Sequence, residues 1–363
     1  MFFAVLFSTL ALGQPQLDFF PEPIYQDRAK DYRPSDFVMA ANGKCLINEY
    51  AAVYAYDPQT KTSIPLELPT GFYAYTFSYL PLELTYCVGA HQPDDKISRL
   101  FFFSEEGIDL GTGWFEDQPG TELTEDFPWR QIIPAGEKVF ANIWQESFMT
   151  KNRPGMLREI ELSPIQGGFL VSPVSEAFDP QVLEANTFNN NFKNRWIVAR
   201  DNSYWVLDEV QHQAWVFKES FSAEYRKSGF RRSLNLKNRV SPVELQQVSS
   251  RHKDFQKWFY SFSRVTGFYA YRDGFLVGYV SPNRSLKDYG GSLDGSDESR
   301  KSTRFVLYLQ SLDSSLKPDS AEMPFDSEPT FLIGVHKNVI FLFQGTRDQP
   351  ESRRVFSLMP DRF

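Results

Sequence analysis

The sequence predicts an all-β protein assembled from a repeated antiparallel unit, on three observations. Phe and Tyr are abundant, with 34 and 17 copies in 363 residues, and aromatic side chains fit the pleated, half-buried surface of a strand. Six times an apolar segment reaches a short turn, a second apolar segment follows, and a third comes after a longer loop. Several segments, such as VIFLF at 339–343, FLVGYV at 275–280 and FVLYL at 305–309, are apolar on consecutive residues. A strand reads that way when both of its faces are covered.

The units follow one another along the chain. FVMAANGKCLINEY runs into AAVYAYD, YLPLELTYCVGA precedes RLFFFSEEG, and QIIPAGEKVFANIW precedes MLREIELSP. A weaker unit pairs IVARDNSYWVL with AWVFKE, and two clear ones pair YAYRDGFLVGYV with RFVLYLQSLD and FLIGVHKNVIFLFQG with RRVFSLMP. Asn42-Gly43, Asn202-Ser203 and Asp273-Gly274 are tight-turn signals that join first and second segments as hairpins. The turns, near residues 43, 83, 137, 203, 274 and 338, are spaced by 40 to 71 residues. SIPLEL at 63–68, GGFLVSPV at 167–174 and MPF at 323–325 are candidate fourth strands. After the last third strand only Asp361, Arg362 and Phe363 remain, so QLDFFPEPIY at 16–25 is expected to supply the missing outer strand and pair the two chain ends.

Six small antiparallel units, each with both faces covered, pack most simply face to face around an axis. The pattern resembles the six-bladed β-propeller superfamily, over nearly the whole chain after its first residues. That resemblance implies one domain over 14–363, with four-stranded blades at roughly 32–69, 70–125, 126–180, 181–240, 258–326 and 327–363 joined by 16–25. The Trp-Asp, kelch and Asp-box blade signatures are absent, so the resemblance assigns no functional residue. Two packed β-sandwich domains are the rival architecture. The hexapeptide TGFYAY occurs at 70–75 and 266–271, in the first strands of repeats two and five. Gly71 lies 12 residues before its turn and Gly267 only 7 before its own, which leaves both a relic of duplication and a chance recurrence open.

One insertion breaks the strand pattern. Ser241-Pro242-Val243-Glu244 has the form of a helix start, and Leu245, Val248, His252, Phe255 and Phe259 share one helical face. A helix is expected near 241–257.

MFFAVLFSTLALG, residues 1–13, reads as an export signal, with Ala11 and Gly13 as small residues before Gln14. It lacks a Lys or Arg before the apolar run, and a buried strand is its other reading. With no apolar stretch of about 18 residues, no membrane span is expected, and the protein is expected to be secreted or periplasmic. The net charge of -8 argues against nucleic acid as the partner. A monomer is expected. Cys45 and Cys87, counted two and four residues after their turns, are expected on the same side of their sheets, a parity that argues against a disulfide.

No phosphate loop, nucleophile elbow or dinucleotide glycine pattern occurs, no histidine pair has metal-ligand spacing, and neither a metal nor a cofactor is expected. The working face is expected where the loops are long, at 91–98, 145–155 and 281–303. Candidates to bind a small molecule or glycan there are Tyr73, Tyr75, Tyr269 and Tyr271, whose other reading is core packing, together with Trp144, Tyr289 and His91. His91 is expected to begin a loop beside Asp94 and Asp95. Arg226, Lys227, Arg231 and Arg232 open a run of positive charge that reads either as a contact for a protein partner or as a solvated loop. The expected function is non-catalytic binding of a ligand or another protein at the loop-rich face. The alternative is a hydrolase or lyase acting on a carbohydrate or lactone at the channel mouth.

Overall fold

The computed structural model describes residues 34–49, 51–93, 97–115, 123–124, 129–143, 156–174, 195–208, 213–218, 226–229, 263–282, 305–325, 329–346 and 349–359. Most of these residues are strand. The first antiparallel group is β1 (Phe37–Met39), β2 (Cys45–Asn48), β3 (Ala52–Asp57) and β4 (Thr62–Glu67). The second is β5 (Tyr73–Leu80), β6 (Thr85–Gln92), β7 (Ile97–Ser104) and β8 (Asp109–Phe115), with the short β9 (Leu123–Thr124) on β7. The third is β10 (Trp129–Ala135), β11 (Lys138–Ile143), β12 (Met156–Ile165) and β13 (Gly168–Pro173).

β14 (Arg195–Arg200), β15 (Ser203–Asp208), β16 (Gln213–Lys218) and β17 (Arg226–Gly229) form the fourth group. β18 (Arg264–Tyr271), β19 (Gly274–Pro282), β20 (Phe305–Leu312) and β21 (Met323–Phe325) form the fifth. β22 (Thr330–His336), β23 (Val339–Gln344) and β24 (Arg354–Leu358) follow. The fourth strands read from SIPLEL, GGFLVSPV and MPF are β4, β13 and β21. The closing strand at 16–25, the leader at 1–13 and the helix near 241–257 lie outside the described residues.

Apolar layers separate successive groups, which explains the consecutive apolar residues of the middle strands. Leu46 and Val53 meet Phe77 and Val88 between the first and second groups, and Leu100 and Phe102 meet Ile132 and Phe169 between the second and third. Phe140 and Leu157 meet Val206 and Trp215, Trp205 and Leu207 meet Phe275 and Val277, and Leu276 and Leu309 meet Leu332 and Leu342. A last layer joins the end of the chain to its beginning, Ile333, Phe343 and Val355 packing on Phe37, Ile47 and Tyr56. Phe37 lies 4.5 Å from Phe343 and 5.1 Å from Phe331, centroid to centroid, within the range where aromatic pairs attract. The fold is all-β and propeller-like.

The outer strands β8 and β13 add an unforeseen parallel pairing, Thr112 opposite Gly168 and Phe115 opposite Val171, which fuses the second and third groups. It depends on two glycines at positive φ. A Cβ on Gly111 (φ +106) would collide with the Gly167 carbonyl, and one on Gly168 (φ +151) with the Thr112 backbone.

Register bears on two sequence readings, one left open and one corrected. In β5 the pairing runs from Leu80 back to Thr76 and skips Tyr75 as a bulge, and in β18 it runs from Tyr271 back to Gly267 and skips Thr266. Tyr75 and Thr266 therefore hold equivalent places, so the last residue of one TGFYAY matches the first of the other. The hexapeptides are out of step by a whole strand segment and carry no evidence of duplication. The cysteines do not share a side. Ala40 N donates to Lys44 O at 2.9 Å, closing the first hairpin one residue earlier than its turn signal suggests, and a one-residue shift turns every side chain over. Cys45 packs toward β22–β24 and Cys87 toward β10–β13, with the first inter-group layer between them. Both are buried free thiols.

Candidate functional site

One end of the sheet groups carries the hairpin turns, and the opposite end carries the long loops. At the loop end, the outermost pair of first and second strands is polar in five groups, the third having Trp129 opposite Ile143. Asn48 Nδ2 donates to Asp36 Oδ1 at 3.2 Å, one position beyond the Phe37–Ile47 pair. Tyr73 stands opposite His91. Ser263 Oγ and Ser281 Oγ share a hydrogen bond of 2.8 Å just beyond Arg264–Val280. Gln344 Nε2 donates to Thr330 Oγ1 at 3.4 Å. Arg195 and Asp208 are opposed at the same place in the fourth group.

The repetition has a local cause. In the groups with a hydrogen-bonded rim pair, polar side chains at that register satisfy each other instead of reaching bulk water. Asp36, Asn48, Ser263, Ser281, Thr330 and Gln344 are nonetheless buried. Asn48 also reaches the next group, donating to Ala74 O at 3.2 Å. Glu49, the residue after β2, meets Arg353, the residue before β24, at 3.4 Å. Arg353 Nε donates to Thr346 O at 3.2 Å, and Arg354 Nε to Gln344 Oε1 at 2.6 Å.

The sequence candidates are distributed unevenly on this frame. His91 belongs to β6, not to a loop, because the strand continues through Gln92. Its Nδ1 lies 3.1 Å from Ser98 Oγ, and Ser98, opposite it on β7, has no exposed surface. Tyr73 and His91 are half-buried. The other tyrosines join inter-group layers. Tyr75 packs on the layer between the second and third groups, Tyr271 is 2% exposed in the layer between the last two groups, and Tyr269 in that same layer donates its hydroxyl to Ile333 O at 3.1 Å. Burial holds the Tyr269 phenol above its ordinary range. These three positions are those of core aromatics.

Arg226 and Lys227 lie in β17, opposite Val216 and Trp215 of β16. Trp144, Tyr289, Arg231 and Arg232 fall outside the described residues. Asp36, Asn48, Glu49, Thr330, Gln344 and Arg353 were missed by sequence reasoning. Their signal was a polar residue at the outer end of an apolar hairpin, visible only when counting outward from the turn in several repeats. Among the described residues no group of three or more His, Cys, Asp or Glu lies together as a metal site, and no helix is long and apolar enough to cross a membrane.

No protein-family model matches the chain, and no curated protein matches its sequence. Solved structures resemble it in outline. YjhT has 10% identity and a TM-score of 0.47 over 93% of this chain and 95% of that one. A chain of the Mitotic Checkpoint Complex has 10% identity and a TM-score of 0.46 over 90% and 91%. A protein of unknown function from Bacteroides caccae has 13% identity and a TM-score of 0.42 over 80% and 81%.

Proposed function

We propose that the protein is an exported six-bladed β-propeller that binds a small polar ligand, of the glycan class, or a protein segment at its loop-rich end, without catalysis. The observation that carries the reading is the polar rim: polar residues stand opposite each other at one register in five strand groups, three of them hydrogen-bonded across the pair, at the end where the long loops emerge. A ring of alternating hydroxyl, amide, imidazole and carboxylate groups suits a ligand rich in hydroxyls. Six hairpin-based strand groups and six apolar layers, the last joining group six to group one, support the blade count. The reading makes residues 16–25 the outer strand beside β24 and takes its export from the apolar run Phe2–Leu12.

The test is a glycan array probed with the full chain, followed by titration calorimetry of any hit. Tyr73→Ala and His91→Ala should each weaken binding about tenfold or more. Hits whose affinity neither change alters would remove the rim from the proposal. Catalysis is the second reading, favoured by His91 oriented by Ser98 at the same rim as Asp36 and Glu49. It requires turnover of an aryl glycoside or a lactone by the full chain, lost in Asp36→Asn or His91→Gln. Binding without turnover removes it.

A further inference from the structure

The turn end, opposite the proposed ligand face, carries an apolar surface on the fused second and third groups. Leu82 and Leu84 in the β5–β6 turn are 63% and 58% exposed, and Ile108 in the β7–β8 turn is 63% exposed. Leu110 and Ile165 are exposed beside them. These turns adjoin: Thr85 pairs with Ser104 across β6 and β7, and Thr112 N donates to Gly167 O at 3.2 Å from β8 to the β12–β13 turn. The other hairpin tips at this end, Asn42-Gly43, Gly136-Glu137, Asp201-Asn202, Arg272-Asp273 and Lys337-Asn338, are polar or glycine.

Leu84 is also strained. Its φ is +50, a region that disfavours side chains other than those of Gly, Asn or Asp. Lys61, Asp201, Asn202, Arg272, Lys337 and Asn338, also at positive φ, are polar, and Leu316 is buried. Among the described residues Leu84 alone is apolar, exposed and left-handed at once. Two unfavourable choices at one position point to a use.

The charge around it is one-sided. Glu83, Glu105, Glu106 and Asp109 belong to these turns. Three of these carboxylates are engaged: Glu105 Oε1 accepts from Tyr79 and Asn42 at 2.8 and 3.0 Å, Glu106 Oε2 from Ser104 at 2.7 Å, and Asp109 Oδ1 from Gly111 N at 2.8 Å. Glu83 Oε2, between the two leucines, is enclosed and has no hydrogen-bond partner among the described residues. Lys44 is the cation here, and its Nζ donates to the Glu105 backbone carbonyl at 3.4 Å.

The geometry points to a docking surface for a cationic, apolar segment of a partner protein, with Leu82, Leu84 and Ile108 as anchors and the acidic side chains of these turns attracting its Lys or Arg residues. The acidic rim repels an anionic lipid surface, and two copies meeting through this surface would oppose like charges. The full chain would be titrated at 0.15 M salt into a fluorescein-labelled 12-residue peptide alternating Leu and Lys, with anisotropy as the readout. Peptides alternating Leu with Glu, or Ser with Lys, serve as controls and should bind at least tenfold more weakly.

Leu84→Asn should reduce affinity for the Leu–Lys peptide about tenfold while raising Tm by ~1–2 °C, because Asn accepts the left-handed backbone. Glu83→Gln should weaken binding and flatten its salt dependence. Gain of stability with loss of binding is the combination a merely structural turn would not give. Unchanged affinity in Leu84→Asn, or equal binding of the Leu–Glu peptide, overturns the proposal. So does Leu84-dependent co-sedimentation with phosphatidylcholine or phosphatidylserine vesicles, or Leu84-dependent self-association in sedimentation velocity.

Discussion

Glu49 and Arg353, 304 residues apart in the chain, face each other at 3.4 Å with almost no exposed surface. They bridge the first and last strand groups at the loop end, beside the Phe37–Phe343 contact that fills the same junction. Charges taken out of water hold each other only while both are present. Arg353→Met or Glu49→Leu should therefore cost about 3–5 kcal/mol each in denaturant unfolding, while the double replacement costs clearly less than the two single losses combined. Additive losses would mean that the two side chains are not energetically coupled.

The glycine pair of the fused sheets gives a second expectation. Gly168→Ala places a methyl group against the Thr112 backbone at a φ that Ala disfavours. The β8–β13 ladder should open, with a stability loss of about 1–3 kcal/mol. Hydrogen exchange should show amide protection lost along Thr112–Phe115 while β5–β6 keeps its own. Intact β8 protection would show that the parallel pairing tolerates the methyl group.

His336 governs a pH dependence. Its imidazole, packed over Gly43 of the first hairpin, is held below the ordinary histidine range, first by burial and then by Lys337. Because the folded state binds the proton less readily than the unfolded chain, stability is complete above about pH 6.5 and is lost as pH falls through the depressed folded value. Tm should decline between pH 7.5 and 5.5 in the native protein, with a shallower decline in His336→Gln. Equal slopes would remove the histidine from this role.

The thiols supply the fourth expectation. Burial pushes both Cys45 and Cys87 well above the normal thiol range, aided by Asp57 for the first and Glu83 for the second. Neither should react with Ellman's reagent in the folded protein, and both should react after unfolding in guanidinium, giving two thiols per chain. Fast labelling of the native protein, or fewer than two thiols after unfolding without reductant, would contradict the burial of the cysteines on opposite outer faces of the first two groups.

Local patterning made the strands legible. Asn42-Gly43 and Asp273-Gly274 mark hairpins through the backbone they permit, and VIFLF announces a strand covered on both sides because each of its residues must avoid water. The six hairpin turns and the outer strands at 63–68, 167–174 and 323–325 followed from the same physics. The site was less legible. Tyr269 and Tyr271 look like ligand platforms in the sequence, yet the neighbouring group buries them, and nothing local distinguishes an aromatic at a layer from one at a rim.

By itself the sequence determined an all-β chain of repeated hairpins, since turn chemistry and apolar runs act over a few residues. Tertiary structure alone decided which residues meet across the groups. Glu49 finds Arg353, β8 finds β13, and Cys45 turns away from Cys87, because each outcome depends on register and on the packing of strands far apart in the chain. A single residue more or less in one hairpin reverses the facing of a whole strand, and the side-chain pattern of that strand, apolar on both faces, cannot report which way it turned.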